Sequence, residues 1–175
     1  MARVLGEKFF MRSADRVAPD LLGKILVRQR GGETKRYRII ETEAYEGPLD
    51  KASHASRGRT ARTEVMFGPP GRWYVYFIYG MHEMLNIVTG PKDHPGAVLI
   101  RAVKIDHTLV DGPGKLTKEL RITRALNAKK AVPENGVWIE DAKPVVEKGI
   151  ERTPRIGVAY AEEWAKKPWR FVLKY

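Results

Sequence analysis

Two carboxylates, Glu41 and Glu43, stand two residues apart where the apolar run Ile39-Ile40 ends. If a strand continues through them, side-chain alternation puts both on one face. Paired carboxylates there can serve as acid and base, or as ligands for a hard metal ion. They can equally form one solvated face of a strand. Further on, Tyr74, Tyr76 and Tyr79 fall within six residues. Flat aromatic faces on a basic chain can stack nucleobases, and an aromatic at a hairpin tip can enter a duplex as a wedge. The other reading is a packed core, in which each phenol needs a hydrogen-bond partner. Arg101 lies inside the apolar run Val98-Leu99-Ile100-Arg101-Ala102-Val103. A guanidinium there needs a partner if it points inward. Spacing alone leaves these alternatives open.

Composition removes several chemistries. The chain of 175 residues contains no cysteine, which excludes disulfides, thiolate zinc sites and a cysteine nucleophile. Its four histidines are scattered without metal-ligand spacing. His82-Glu83 resembles the start of a zinc-protease helix, but Asn86 occupies the second histidine position. Gly112-Pro113-Gly114-Lys115 resembles the end of a P-loop, but Leu116 replaces the hydroxyl residue and Leu109 the first glycine. Lysine and arginine number 32 against 21 acidic residues, a net charge of +11 that favours a polyanionic partner. No apolar run approaches membrane-spanning length, and the polar start Met1-Ala2-Arg3 does not read as a signal peptide. The expectation is a soluble, intracellular protein folding as one domain over residues 1–175.

The elements that must hold these side chains follow from local pattern. Ser13 caps a helix reaching Leu22, with Leu21 and Leu22 inward and Gly23 ending it, although Pro19 argues for a start only near that residue. Residues 24–28 read as a strand, Gly31-Gly32 as its turn and 36–42 as the returning strand. Residues 46–72 form a long connection carrying Asp50, His54 and the basic run Arg57-Gly58-Arg59-Thr60-Ala61-Arg62. Residues 73–88 read as a β-hairpin turning at Gly80, with Tyr74, Tyr76 and Ile78 on one face and Trp73, Val75 and Phe77 on the other. A strand over 97–104, a helix over 116–126, short strands at 137–140 and 155–158, a helical turn at 161–167 and a final strand at 169–173 complete the chain. The glycine-rich start of the helix beside Lys115 can hold a phosphate or be an ordinary cap. This pattern predicts an α+β domain with a mixed, mostly antiparallel sheet and a protruding hairpin.

The stretches Glu41-Thr42-Glu43-Ala44-Tyr45, His54, Tyr74 to Met81, Asn86 and Leu99-Ile100-Arg101-Ala102 resemble the alkyladenine (3-methyladenine) DNA glycosylase family. So do Gly112 to Leu116, Arg155 to Val158 and Glu163 to Pro168, in order along nearly the whole chain. The resemblance implies an enzyme that flips alkylated or deaminated purines out of double-stranded DNA and hydrolyses the N-glycosidic bond. It implies no cofactor or metal, no strand cleavage and a monomer. Glu43 matches the base that activates water, and Arg101 the arginine that helps hold it. Tyr45, His54, Tyr76 and Asn86 match the base pocket, with Asn86 discriminating against the guanine 2-amino group. Tyr79 and Met81 match the intercalating tip, and Met66 and Lys115 positions near the DNA surface and backbone. Glu41 is left as scaffold. His82, Glu83 and Met84 depart from the mammalian pattern, which bears on lesion preference. The competing expectation is a non-catalytic nucleic-acid-binding module with the same basic surface and tyrosines.

Overall fold

The structure, a computed structural model, describes residues 2–174. Among them, β1 (Ile25–Arg30) and β2 (Glu33–Glu46) form a first antiparallel hairpin. A second joins β3 (Trp73–Ile78) to β4 (His82–Thr89). The sheet is completed by β5 (Gly96–Ile105), β6 (Thr108–Asp111), β7 (Val137–Glu140), β8 (Ile150–Thr153) and β9 (Arg170–Leu173). Its main path runs β3-β4-β5-β2-β1-β7, with β6 on β5, β9 on β2 and β8 on β9. The expected α+β class holds, and each of these pairings is antiparallel.

The long strand β2 is the element on which the rest depends. Its first half pairs with β1, and from Arg38 onward it pairs with β5 on its other side. Irregular register around Glu41 lets Glu41, Thr42 and Glu43 pair with β9 as well, so this segment has a strand on each side. Glu41 to Ala44 are all buried, which removes the solvated-face alternative for the two carboxylates.

α2 (Ala14–Leu21) packs on this strand, and the short α1 (Glu7–Phe10) precedes it and sends Phe10 into the core. Val17, Ala18 and Leu21 of α2 are fully buried, joining Phe10, Leu26, Tyr37, Ile39 and Trp73 in the core. At about 25 cal/mol per Å² of apolar surface, burying each such side chain stabilises by roughly 1.5–3 kcal/mol. The Thr42 hydroxyl donates to Ala18 O at 2.8 Å, pinning α2 to the strand. Ser13 occupies the N-cap without a side-chain bond; the Glu46 carboxylate accepts from Ala14 N instead. That distant cap and the buried first turn explain why the helix starts at Ala14 and carries Pro19 inside it.

Other local expectations shift for similar reasons. α3 covers Pro113–Glu119, not 116–126, because Arg121 takes φ 49° and breaks the helix before a 3₁₀ turn at Arg124–Leu126. Residues 155–158 are not a strand. Gly157 has φ 74°, and Arg155 turns inward to a carboxylate. β9 pairs with β2 on one side and with β8, which was not anticipated, on the other; β6 was likewise not anticipated. The long connection contains 3₁₀ turns at His54–Arg57 and Glu64–Phe67, and the turn near the C-terminus spans Ala159–Lys166 with a kink at Glu162.

Candidate active site

A cavity of about 240 Å³ opens beside the C-terminal end of β2. Tyr45 comes from β2, Tyr74, Tyr76 and Ile78 from β3, Asn86 from β4, and Leu99 and Arg101 from β5. Strand alternation delivers Tyr74, Tyr76 and Ile78 into the cavity while Trp73 and Val75 enter the core on the opposite face. The other side of the cavity is irregular chain: His54 from the 3₁₀ turn, and Ile156, Gly157 and Tyr160 from the C-terminal segment.

Glu43 lies directly behind this wall with its side chain fully buried. Its Oε1 accepts from Ile156 N at 2.8 Å, and its Oε2 accepts from the Tyr45 hydroxyl at 2.9 Å and from Arg101 Nη1 at 3.4 Å. Burial raises the Glu43 pKa, opposed by Arg101, the Ile156 amide and the Tyr45 hydroxyl, and assisted by Glu41. The group is thus a carboxylate with an increased appetite for a proton, held in place by three donors. Arg101 is itself held by Glu41, whose Oε1 accepts from Arg101 Nε at 3.0 Å and from Arg170 Nε at 2.6 Å. Glu41 therefore positions Arg101, as its scaffold assignment anticipated.

The aromatic wall is tightly ordered. The rings of Tyr74 and Tyr76 lie 5.2 Å apart, and His54 meets Tyr76 edge-on at 4.6 Å. His54 Nδ1 is 3.0 Å from the Tyr74 hydroxyl. Burial, with Arg62 and Arg57 adding to it, lowers the His54 pKa to about 4, so the imidazole is neutral near pH 7. Burial pushes the Tyr74 phenol up to about 12 and Tyr76 higher, keeping both protonated. Asn86 Nδ2 donates to Tyr74 O at 3.2 Å and, more weakly, to Met84 O at 3.4 Å, fixing its amide in the wall.

A buried ion pair closes the back. The Arg155 guanidinium meets Asp50 at 2.6 and 2.9 Å with both side chains fully buried. It also donates to Ala44 O and Trp164 O and stacks on Tyr45 and Trp169. One residue later, Ile156 N bonds Glu43, so this pair places a donor on the carboxylate. In the chain, Asp50 figures only within the long connection, and Arg155 only within an expected strand and the family resemblance; neither is assigned to the site there. Their signal was a lone acid in a loop and a lone base over a hundred residues away, which spacing cannot connect.

The structure brings Tyr45, His54, Tyr76, Asn86 and Arg101 together around one cavity, with Glu43 behind it. Tyr79 reaches its rim yet is 85% exposed, and Met81 is exposed beside it at the hairpin tip. Met66 is a correction: it is 2% exposed and lies beneath the cavity, packed with Tyr74, Val88 and Ala97, so it presents no surface to DNA. Lys115 is exposed on α3 and faces a neighbouring cleft. Tyr160 and the backbone amide of Ile156 are further site groups that local pattern did not reveal.

The tip has its own signature. Tyr79 and Gly80 take φ 53° and 65°, the two successive positive values of a type I′ turn, and Met81 N donates to Ile78 O at 3.2 Å. Gly80 adopts this freely; a bulky tyrosine does so at a cost of about 1–2 kcal/mol. The start of β4, just after the tip, rests on α3. A Cβ at Gly114 would lie 2.8 Å from His82 Nδ1, so only glycine permits this approach. Thr117 Oγ1 donates to Glu83 O at 2.9 Å across the same contact.

Comparison with known proteins agrees with this geometry. The profile of the methylpurine-DNA glycosylase (MPG) family matches residues 8–175. A protein from Methanocella arvoryzae, provisionally named 3-methyladenine DNA glycosylase, is 48% identical over 184 residues, covering 96% of this chain and 91% of its own length. Proteins with the same provisional name from Anaeromyxobacter dehalogenans and Legionella pneumophila are 47% and 45% identical. They cover 97% and 98% of this chain, and 82% and 95% of their own lengths.

Proposed function

The chain belongs to the methylpurine-DNA glycosylase family, and on that premise we propose that it removes alkylated or deaminated purines from duplex DNA by hydrolysis at Glu43. The observation that carries this reading is the buried Glu43 carboxylate, its pKa raised, set behind a cavity walled by tyrosines. No membrane-crossing helix is present among the described residues. Work on genomic DNA puts the reaction inside the cell.

A base within a duplex hides its glycosidic bond, so it must leave the stack at a cost of a few kcal/mol, less where the pair is damaged. Tyr45 and Tyr76 receive the flipped base, and each base–aromatic stack returns on the order of 1–3 kcal/mol. His54, neutral near pH 7, orients the base without supplying a proton to it. Asn86 narrows the wall against a purine carrying a 2-amino group. Tyr79 and Met81 fill the gap left in the duplex.

Hydrolysis breaks the bond from sugar C1′ to the base nitrogen and forms one from C1′ to a water oxygen. Positive charge grows on the sugar, and a carboxylate nearby stabilises it while accepting the water's proton. Arg101 lines the cavity and donates to Glu43 Oε2 at 3.4 Å, the longest of the carboxylate's three bonds, so the water is assigned to the space between these two groups. Arg101 then holds the water as well as the carboxylate. A cationic base such as 3-methyladenine leaves as a neutral molecule; hypoxanthine leaves with the bonding electron pair and takes a proton from solvent, balancing the one that water gives up to Glu43. No lysine lines the cavity among the described residues, in keeping with a product that is an abasic site in an intact strand.

Single-turnover base release tests this on a duplex carrying one hypoxanthine or ethenoadenine, and on methylated DNA, for wild type and Glu43→Gln. Wild type yields abasic sites that become breaks only after alkali. Glu43→Gln, still folded, releases base at least about 10²–10⁴-fold more slowly. Silence from wild type on every substrate would leave a binding module instead.

A further inference from the structure

A second concavity, of about 820 Å³, lies between the β1–β2 hairpin and α3. It is lined by six basic side chains, Arg28, Arg30, Lys35, Lys115, Lys118 and Arg121, against two acidic ones, Glu33 and Glu119. The acidic pair is already engaged: Glu33 lies 3.8 Å from Lys35, and Glu119 accepts from the Tyr37 hydroxyl at 3.2 Å. Arg28 is committed to the fold, donating to Leu120 O at 2.8 Å and to Gly136 O at 3.2 Å. Burial and the neighbouring Arg30 both lower its pKa, a sign of crowded positive charge. Four remain: Lys115, already matched to a DNA-backbone position, and Arg30, Lys118 and Arg121. All are exposed, and none makes an ion pair with a carboxylate among the described residues. Like charges gathered without counterions repel one another, and an arriving polyanion relieves that repulsion.

The cleft is joined to the base cavity by one rigid element. Pro113, the first residue of α3, lines the cavity; Lys115 and Lys118, two and five residues further along the same helix, line the cleft. Resting on the reading of this chain as a duplex-DNA enzyme, we propose that Arg30, Lys118 and Arg121 form an accessory site for the phosphate backbone of DNA flanking the damaged base. The backbone fits because such contacts need mobile, exposed cations rather than shape. The one aromatic residue lining the cleft, Tyr37, is buried and offers no free face for stacking a base, whereas five tyrosines line the cavity.

The test is binding of an undamaged duplex, extending past the hairpin on both sides, across a salt series. Wild type is compared with Arg30→Gln/Lys118→Gln/Arg121→Gln and with a control that loses equal charge elsewhere, Lys8→Gln/Lys143→Gln/Lys148→Gln. The cleft variant is expected to lose about 2–3 from the slope of log affinity against log salt, near 0.9 per phosphate contact, and the control less than about 1. Its base release at saturating enzyme stays at the wild-type rate. An unchanged slope, an equal loss in the control, or a reduced saturating rate would overturn the assignment. Undamaged DNA requires no chemistry, so this result stands apart from the glycosylase reading, which base release by wild type decides on its own.

Discussion

Tyr76 and Tyr79 are three residues apart on one hairpin, and they meet different physics. Tyr76 packs against His54 and Tyr74, with the Arg62 guanidinium 5.0 Å from its ring. His54 and Arg62 come from a distant loop and hold its orientation. Tyr79 stands 85% exposed on a backbone conformation that disfavours it. The cavity is thus preorganised by tertiary contacts, whereas the tip is a strained local turn. Strain at an exposed aromatic points to a ligand as its compensation. The cavity should therefore be sensitive in stability, and the tip in function alone.

The largest effect expected is at the back of the cavity. Asp50→Ala leaves the Arg155 guanidinium buried without a counterion, which costs about 3–5 kcal/mol. Urea denaturation should show this as a lower midpoint, with base release lost in parallel. Replacing both members, Asp50→Ala with Arg155→Met, should cost less than the single change. A single variant of wild-type stability would break the contrast.

Next comes the tip. Tyr79→Asn keeps a residue suited to the left-handed conformation, so stability should hold or rise by up to about 1–2 kcal/mol. Base release from a lesion in a stable pair should fall about 5- to 150-fold, the equivalent of one lost stack of about 1–3 kcal/mol. If stability falls with activity, the tip is a structural turn and the comparison fails.

A smaller effect is expected at Tyr74→Phe, which removes the hydroxyl facing His54 Nδ1. One such bond contributes about 1 kcal/mol, so a modest drop in stability and in base release should appear together. Activity falling while stability is untouched would argue that the hydroxyl meets substrate directly.

The last prediction concerns pH. His54 titrates at about 4 in the folded protein against 6.5 ordinarily, so the unfolded chain binds more protons in between. Stability is therefore lost as pH falls from 6.5 toward 4. His54→Gln should flatten that decline, read from denaturation midpoints across the window. An identical decline in both proteins would mean that other groups carry it.

Much of this molecule was legible along the chain because its signals are local. Alternation in residues 73–78 identified the hairpin and separated Trp73 and Val75 from the tyrosines. Glycine at 80 and the aromatic beside it marked the turn. The same rules failed where distant groups override local preference. Arg155 to Val158 has strand composition, but Arg155 is drawn to Asp50 and the segment becomes part of the cavity wall. Met66 matched a DNA-surface position by resemblance, but packing under Tyr74 buried it.

The sequence by itself determined the two main hairpins, the central strand after them, the positive charge and the identity of the groups able to do chemistry. Those follow from backbone geometry, side-chain alternation and composition, which need no knowledge of distant neighbours. Tertiary structure alone decided that Glu43 is buried and proton-hungry rather than a solvated acid. Its desolvation and its three donors come from residues 45, 101 and 156. A carboxylate's proton affinity depends on what surrounds it in space, and no spacing along one strand encodes that.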